Sequence, residues 1–242
     1  MSERVSVNCA ALRLAVILPI KMCVVEKDFD RLALLDDEGW THNNHYHSFL
    51  LRRVPADCRK ALEIGCGTGA FARRLAERAE HVTALDLSPE MIRVARSHSS
   101  DVPNIHFQLT DVNNWNFPAK QFDCIATIAT LHHMELREVL WKAKEALTPG
   151  GVLLVLDLFE PDGLGDSLTN VAAIGMSGVL RLLHNGRLRP SPEVQSAWEE
   201  HGRHDSYLTV PEVKRLCAEI LPGARIRKHL FWRYSIVWQA PL

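Results

Sequence analysis

The sequence predicts an α/β fold, a doubly wound and mostly parallel sheet with helices on its faces, in a single domain. Three observations point there. Ala61-Leu62-Glu63-Ile64 is a short apolar run that empties into Gly65-Cys66-Gly67-Thr68-Gly69, a strand followed by a glycine loop. Glycine suits that loop because the chain must turn sharply and present backbone N–H groups with no Cβ in the way. An acid, Asp86, ends a second apolar run about 20 residues on, as in sites that hold ribose hydroxyls. A chain of 242 residues can also bury a sizeable core without dividing. Gly65-x-Gly67-x-x-Ala70 fits the dinucleotide fingerprint too, so the loop alone leaves two cofactors open.

The later elements narrow the choice. His81 to Asp86 reads as the second strand, after which Ser88 caps a helix and Pro89 occupies its first turn. Ile105 to Leu109 leads to Asp111, and Gln121 to Ile128 leads to Leu131-His132-His133. Leu136, Val139, Leu140, Ala143 and Leu147 recur at helical spacing. Leu147-Thr148-Pro149-Gly150-Gly151 then forms a turn before a fifth apolar run, Val152 to Leu158.

In this order and spacing the features resemble class I S-adenosylmethionine-dependent methyltransferases, in particular the methyltransferase type 11 and ubiquinone-menaquinone biosynthesis-like enzymes that act on small molecules. The likeness runs from about Glu26 to the end and is closest between Lys60 and Pro161. It implies a Rossmann-like sheet of seven strands whose C-terminal strand is antiparallel, the last two lying near Ala224 to Leu230 and Arg233 to Gln239. It implies S-adenosylmethionine as cofactor and S-adenosylhomocysteine as product. By the same resemblance Glu63, Gly65, Cys66 (through its backbone) and Gly67 face the loop side of the cofactor. Asp86 meets the ribose and Asp111 the adenine amino group, and Leu87, Met91, Val112 and Ile128 are further cofactor-binding positions. Taken singly, Glu63 also reads as a helix-capping acid, and Asp86 and Asp111 as turn residues.

Composition excludes several other functions. A net charge of −1 with no basic run argues against a nucleic-acid partner. The six cysteines form no CxxC pair or metal spacing and read as reduced thiols, so a cytoplasmic location is expected. Residues 1–25 read as an N-terminal extension, with 26–242 as the methyltransferase domain. The run from Cys9 to Ile20, broken by Arg13 and Pro19, is too short for a membrane span and lacks the cleavage site of a signal peptide; Met22 is an alternative start. Oligomeric state cannot be read.

Substrate elements are expected in two places. Before the first strand, a helix around Phe29 to Leu35 and a second through Arg53 flank Trp40, His42, His45 and Tyr46, candidate walls of the pocket. Between the fifth strand and a helix from Pro211 to Ile220, opened by the capping box Thr209-x-x-Glu212, lies an insertion over about 159–207. Leu164, Leu168, Val171, Ile174, Val179, Leu182 and Leu183 suggest amphipathic helices there, either a lid or packing against the sheet edge; Pro190, Pro192 and Gly202 suggest a surface connection.

No metal site is expected. His42, His45 and His47 invite one, but 45 and 47 do not share a helical face and no Cys or carboxylate cluster accompanies them. His132 follows the fourth strand and Asp157 ends the fifth, a pairing that resembles the acid-oriented His of some O-methyltransferases and implies a general base; His133 lines the substrate side. The other reading is a turn whose histidines pack or cap. The expected reaction is in-line methyl transfer to a small-molecule acceptor, at oxygen or nitrogen. The rivals are an NAD-dependent oxidoreductase, against which Asp111 and the Leu147 to Gly151 turn argue, and a non-catalytic S-adenosylmethionine-binding protein.

Overall fold

A computed structural model describes residues 25–35, 39–203 and 205–242, so the extension over 1–24, with its apolar run and Met22, lies outside the described residues. The chain opens with helix α1 over 25–33, a 3-10 turn at Asn44–Tyr46 and α2 at His47–Leu51. Strands β1 (Lys60–Ile64), β2 (His81–Asp86), β3 (Ile105–Leu109), β4 (Phe122–Ile128) and β5 (Leu147–Leu158) follow, then β6 (Arg225–Lys228) and β7 (Arg233–Gln239). Between them lie α3 (Ala70–Ala76), α4 (Pro89–His98), α5 (Leu136–Ala146), α6 (Leu164–Asn185), α7 (Pro192–Gly202) and α8 (Val210–Ile220). One sheet carries all seven strands in the order β3-β2-β1-β4-β5-β7-β6, parallel except where β7 runs antiparallel to β5 and β6. The order reverses between β1 and β4, the crevice where open α/β sheets bind ligands.

Strand alternation sorts the core. Leu62, Ile64, Ile125, Leu153 and Val155 pack with α5 and α8, while Ala61, Ala84, Ala126 and Leu154 pack with α2, α3 and α4. Glu63 falls on the second face with Ala61, so alternation itself carries its carboxylate into an apolar layer. The small residues there let α3 and α4 approach closely. Ser88 caps α4 as expected, its Oγ accepting from Met91 N at 3.0 Å. The capping box of α8 is also formed.

Two sequence expectations are corrected, and the alternative to a lid in the insertion loses support. The turn before the fifth strand is part of β5, with a register break between Phe122 and Cys124. Gly151 makes this possible, since a Cβ there would stand 2.9 Å from Thr148 O and 3.0 Å from Phe122 O. The stretch expected as a surface connection is helix α7, because Ser191 caps it and Pro192 sits in its first turn, where a missing N–H costs nothing. Packing against the sheet edge fails for the C-terminal half of α6: Ile174, Val179, Leu182 and Leu183 are all at least half exposed or nearly so. The side chains of Leu164, Leu168 and Val171 lie outside the described residues.

The tight β6–β7 join is a turn with Phe231 and Trp232 at φ +60° and +55°. Non-glycine residues in that region cost roughly 1–2 kcal/mol each. Phe231, 1% exposed and packed among Trp40, His42, His45 and Tyr46, offsets the strain.

Candidate functional site

The glycine loop has the conformation its composition demands. Gly65, Gly67 and Gly69 all take positive φ, +69°, +52° and +78°. Cys66 N donates to Leu85 O at 2.9 Å, tying the loop to β2, and its thiol, raised by burial, has no ionised role. A Cβ on Gly65 would come within 2.3 Å of the Thr130 side chain. Gly65→Ala should therefore lower the unfolding free energy by about 2–3 kcal/mol, combining overpacking with a strained φ, as a urea titration would read.

Asp86, at the end of β2, fixes the loop from the other side. Its Oδ2 accepts from Gly67 N at 2.8 Å and its Oδ1 from Ser88 N at 2.9 Å. Burial raises its pKa while these backbone donors oppose the shift. From α1, Asp30 accepts from Ser88 Oγ at 2.5 Å and Glu90 N at 3.3 Å, so the N-terminal helix docks at this same end of the sheet. Leu32 and Ala33 complete that contact against Met91 and Val94.

Glu63 is 1% exposed, and its Oε2 is buried with no hydrogen-bond partner. Burial, then the neighbouring Asp86, pushes its pKa well above the carboxylate range, with Arg73 opposing. No capping role remains for it, since α3 begins at Gly69 without a side-chain cap. A cationic ligand group is what such an oxygen lacks.

Asp111 stands two residues beyond β3, its carboxylate engaged locally: Oδ1 accepts from Asn113 N at 2.9 Å and Oδ2 from Asn114 Nδ2 at 2.8 Å. Val112 is buried with α5 in the core, Met91 is nearly buried close to Gly67, and Leu87 and Ile128 are half-buried at strand ends. Glu63, Gly65, Cys66, Gly67, Asp86 and Leu87 are thus gathered at the C-terminal ends of β1 and β2, whereas Val112 packs in the core.

His132 and Asp157 do meet. Nδ1 of His132 lies 2.6 Å from Asp157 Oδ1, which also accepts from Leu158 N, so the carboxylate fixes the ring's orientation and turns Nε2 the other way. That nitrogen faces Asp205, with Asp205 Oδ2 at 3.9 Å. His133 Nδ1 is 3.3 Å from Asp205 Oδ1, and Tyr207 donates to Asp205 Oδ2 at 3.0 Å. His201, Asp205, Tyr207, Phe29 and the buried Arg233, whose pKa burial lowers to about 10, were invisible as site residues in the sequence. Nothing in their local pattern marks them, because α1, the segment after α7 and β7 meet only in the fold.

The aromatic segment before β1 is placed differently from a simple pocket wall. His42 stacks on Phe231 with centroids 4.7 Å apart, Trp40 N donates to Asn185 Oδ1, and Tyr46 Oη donates to Leu230 O at 3.1 Å. His42 and Ser177 hydrogen-bond at 2.8 Å, and burial lowers the pKa of His42 to about 3. Trp40, His42, His45 and Tyr46 therefore bind the segment to α6 and the β6–β7 turn, and the buried Arg233, near His42 and Tyr46 on one side and Asp157 and Tyr207 on the other, joins it to the His132 cluster.

Comparison with known proteins agrees with this geometry. A methyltransferase-domain family matches residues 61–151. An uncharacterized methyltransferase of Mycobacterium tuberculosis is 32% identical over 212 residues, covering 85% of this chain and all of the relative. A ubiquinone biosynthesis O-methyltransferase of Xylella fastidiosa is 30% identical over 163 residues, 63% of each chain. Among solved structures, the N-methyltransferase NodS of Bradyrhizobium japonicum with bound S-adenosylhomocysteine superposes with a TM-score of 0.60 at 18% identity, over 90% of this chain and 99% of NodS.

Proposed function

This chain belongs to the class I S-adenosylmethionine-dependent methyltransferases, and we propose that its acceptor is a small molecule methylated at oxygen or nitrogen. Its cofactor is S-adenosylmethionine, and the dehydrogenase rival is set aside. The glycine loop, the positive-φ cradle and the unpartnered Glu63 oxygen all suit that cofactor. When bound, it supplies an electrophilic methyl carbon on a sulfonium.

The residues divide the remaining work. Asp86 holds the ribose hydroxyls and keeps the loop in register through Gly67 N. Glu63 opposes the positive charge of the methionine end. Asp111, with Ile128 and Leu87, bounds the adenine side. The insertion, α6 and α7, covers the acceptor side, and it delivers His201 and Asp205 to His132. Holding the acceptor in line is worth roughly 7–11 kcal/mol of barrier. The observation that carries the acceptor assignment is the His132–Asp157 contact of 2.6 Å, which leaves a basic Nε2 on that side of the sheet. Proton acceptance by such a group contributes about 10²–10⁴ in rate. Among the described residues no helix is long and apolar enough to cross a membrane, consistent with a diffusible acceptor.

Calorimetric titration with S-adenosylmethionine, S-adenosylhomocysteine and NAD is the test of the cofactor half. Micromolar binding of both adenosyl ligands with none for NAD is expected; NAD binding alone would overturn it. Methyl transfer to a hydroxyl or amine acceptor in a screen then tests the rest, and cofactor binding without turnover on any acceptor class would favour the non-catalytic reading.

A further inference from the structure

We propose that His132, His133 and Asp205 form a divalent metal site, zinc in the first instance, beside the methyl-transfer centre. The proposal rests on the reading that this cluster faces the acceptor, and adds what the cluster binds. One ligand atom from each of the three residues lies within 4.8 Å of the others. All three side chains are at most 7% exposed. They come from the turn after β4 and the segment after α7, so only the fold brings them together.

The distances distinguish ligation from ordinary hydrogen bonding. His132 Nε2 and His201 Nε2 stand 3.9 Å and 3.7 Å from the same oxygen, Asp205 Oδ2, both too long for a hydrogen bond. His133 Nδ1 is 3.3 Å from Oδ1. Zinc bonds of about 2.0–2.1 Å in a tetrahedron put ligand atoms roughly 3.3–3.4 Å apart. The His133 Nδ1–Asp205 Oδ1 separation therefore already matches, and the remaining ones, all within 4.8 Å, close by at most about 1.5 Å.

The surrounding groups have the arrangement that metal-bound imidazoles require. Asp157 contacts His132 Nδ1 at 2.6 Å, the carboxylate support behind a ring nitrogen that orients a ligating imidazole. His201, from α7, repeats the pattern: its Nδ1 is 3.2 Å from Asp28 Oδ2 while its Nε2 flanks Asp205. Tyr207 donates to Asp205 Oδ2 and so directs Oδ1 toward the His133 side. Asp157 faces the buried Arg233 guanidinium, while Asp28 and Asp205 have histidines as their recorded basic neighbours, so the cluster brings carboxylates and imidazoles together in the donor set a divalent cation takes. Three protein ligands leave a fourth position open, as in catalytic rather than structural zinc sites. A hydroxyl acceptor there would release its proton to solvent and attack the methyl carbon as the anion, the sulfonium leaving as a neutral thioether; in the zinc-loaded protein the His132 Nε2 lone pair is taken up as a ligand, and acidification of the hydroxyl by the ion replaces the proton acceptance assigned to His132 above.

Chelator-stripped full-length protein titrated with zinc chloride in a calorimeter, with elemental analysis after gel filtration, tests the site without any acceptor. About one zinc per chain is expected for the wild type, less than a tenth of that for Asp205→Ala and His132→Ala, and for Asp157→Asn an unchanged stoichiometry with affinity weakened roughly 10–100-fold. S-adenosylhomocysteine binding, measured on the same samples, reports folding independently. Absence of stoichiometric zinc in wild-type protein that binds S-adenosylhomocysteine overturns the metal site and leaves the methyltransferase reading standing. Undiminished zinc binding by Asp205→Ala overturns it equally, whereas loss of S-adenosylhomocysteine binding by the wild type would strike the cofactor assignment alone.

Discussion

Asp86→Ala is expected to abolish cofactor binding, while His132→Ala retains binding and loses turnover. The Asp86 carboxylate accepts from Gly67 N and Ser88 N, so its removal leaves two donors at the loop without partners. Each unmet buried donor costs roughly 1–3 kcal/mol, and the proposed ribose bonds disappear as well. The combined effect exceeds about 100-fold in affinity, or ~2.7 kcal/mol. Most of it arises because Gly67 at φ +52° is no longer pinned in the conformation that receives the ligand. His132 contacts neither the glycine loop nor Asp86, and its truncation should reduce turnover by about 10²–10⁴, or ~3–5 kcal/mol of barrier. Titration with S-adenosylhomocysteine and single-turnover rates on the two variants separate the effects. Equal loss of binding in both would sink the division of labour.

The parts of this site that were legible in the sequence are those whose signal is local. A strand-end acid, alternating glycines and a Ser-Pro helix start each encode their own geometry, and β1, the loop, Asp86 and the Ser88 cap all stand where the pattern puts them. The pairing of His132 with Asp157 was legible through the resemblance to methyltransferases that place a His after the fourth strand and an acid at the end of the fifth; β4 and β5 are adjacent and parallel, so the turn after one reaches the end of the other. Asp205 and His201 were not, since their role arises from where α7 returns to the sheet. The histidines that do stand close together in the sequence, His42, His45 and His47, were read without a metal; in the fold His42 stacks on Phe231, His45 meets the same ring edge-on and His47 lies against Phe71. α7 was missed for a different reason: Ser191-Pro192 serves equally as a loop or as a helix start, and only the docking of Ala197 against α1 and α4 decides.

Glu63→Gln is expected to make the ligand-free protein more stable and the cofactor complex weaker. The folded Glu63 carboxyl holds its proton to a higher pH than the ordinary 4.5, because burial and then Asp86 disfavour the charge. Between 4.5 and the raised value the native state binds more protons than the unfolded chain, so the stability contributed at low pH is lost as pH rises through the folded pKa. Glutamine removes that linkage, and the variant's melting temperature should exceed the wild type's at neutral pH and vary less across the acid-to-neutral range. A cationic ligand group reverses the preference by favouring the carboxylate. Binding of S-adenosylmethionine to the wild type should then release a proton, seen as a heat that depends on the ionisation enthalpy of the buffer, and tighten as pH rises. Glutamine should abolish the proton release and weaken binding by about 10–100-fold, ~1.4–2.7 kcal/mol. A variant that is less stable yet binds as tightly as the wild type would show that Glu63 serves packing, and the charge opposing the sulfonium would have to come from elsewhere in the loop.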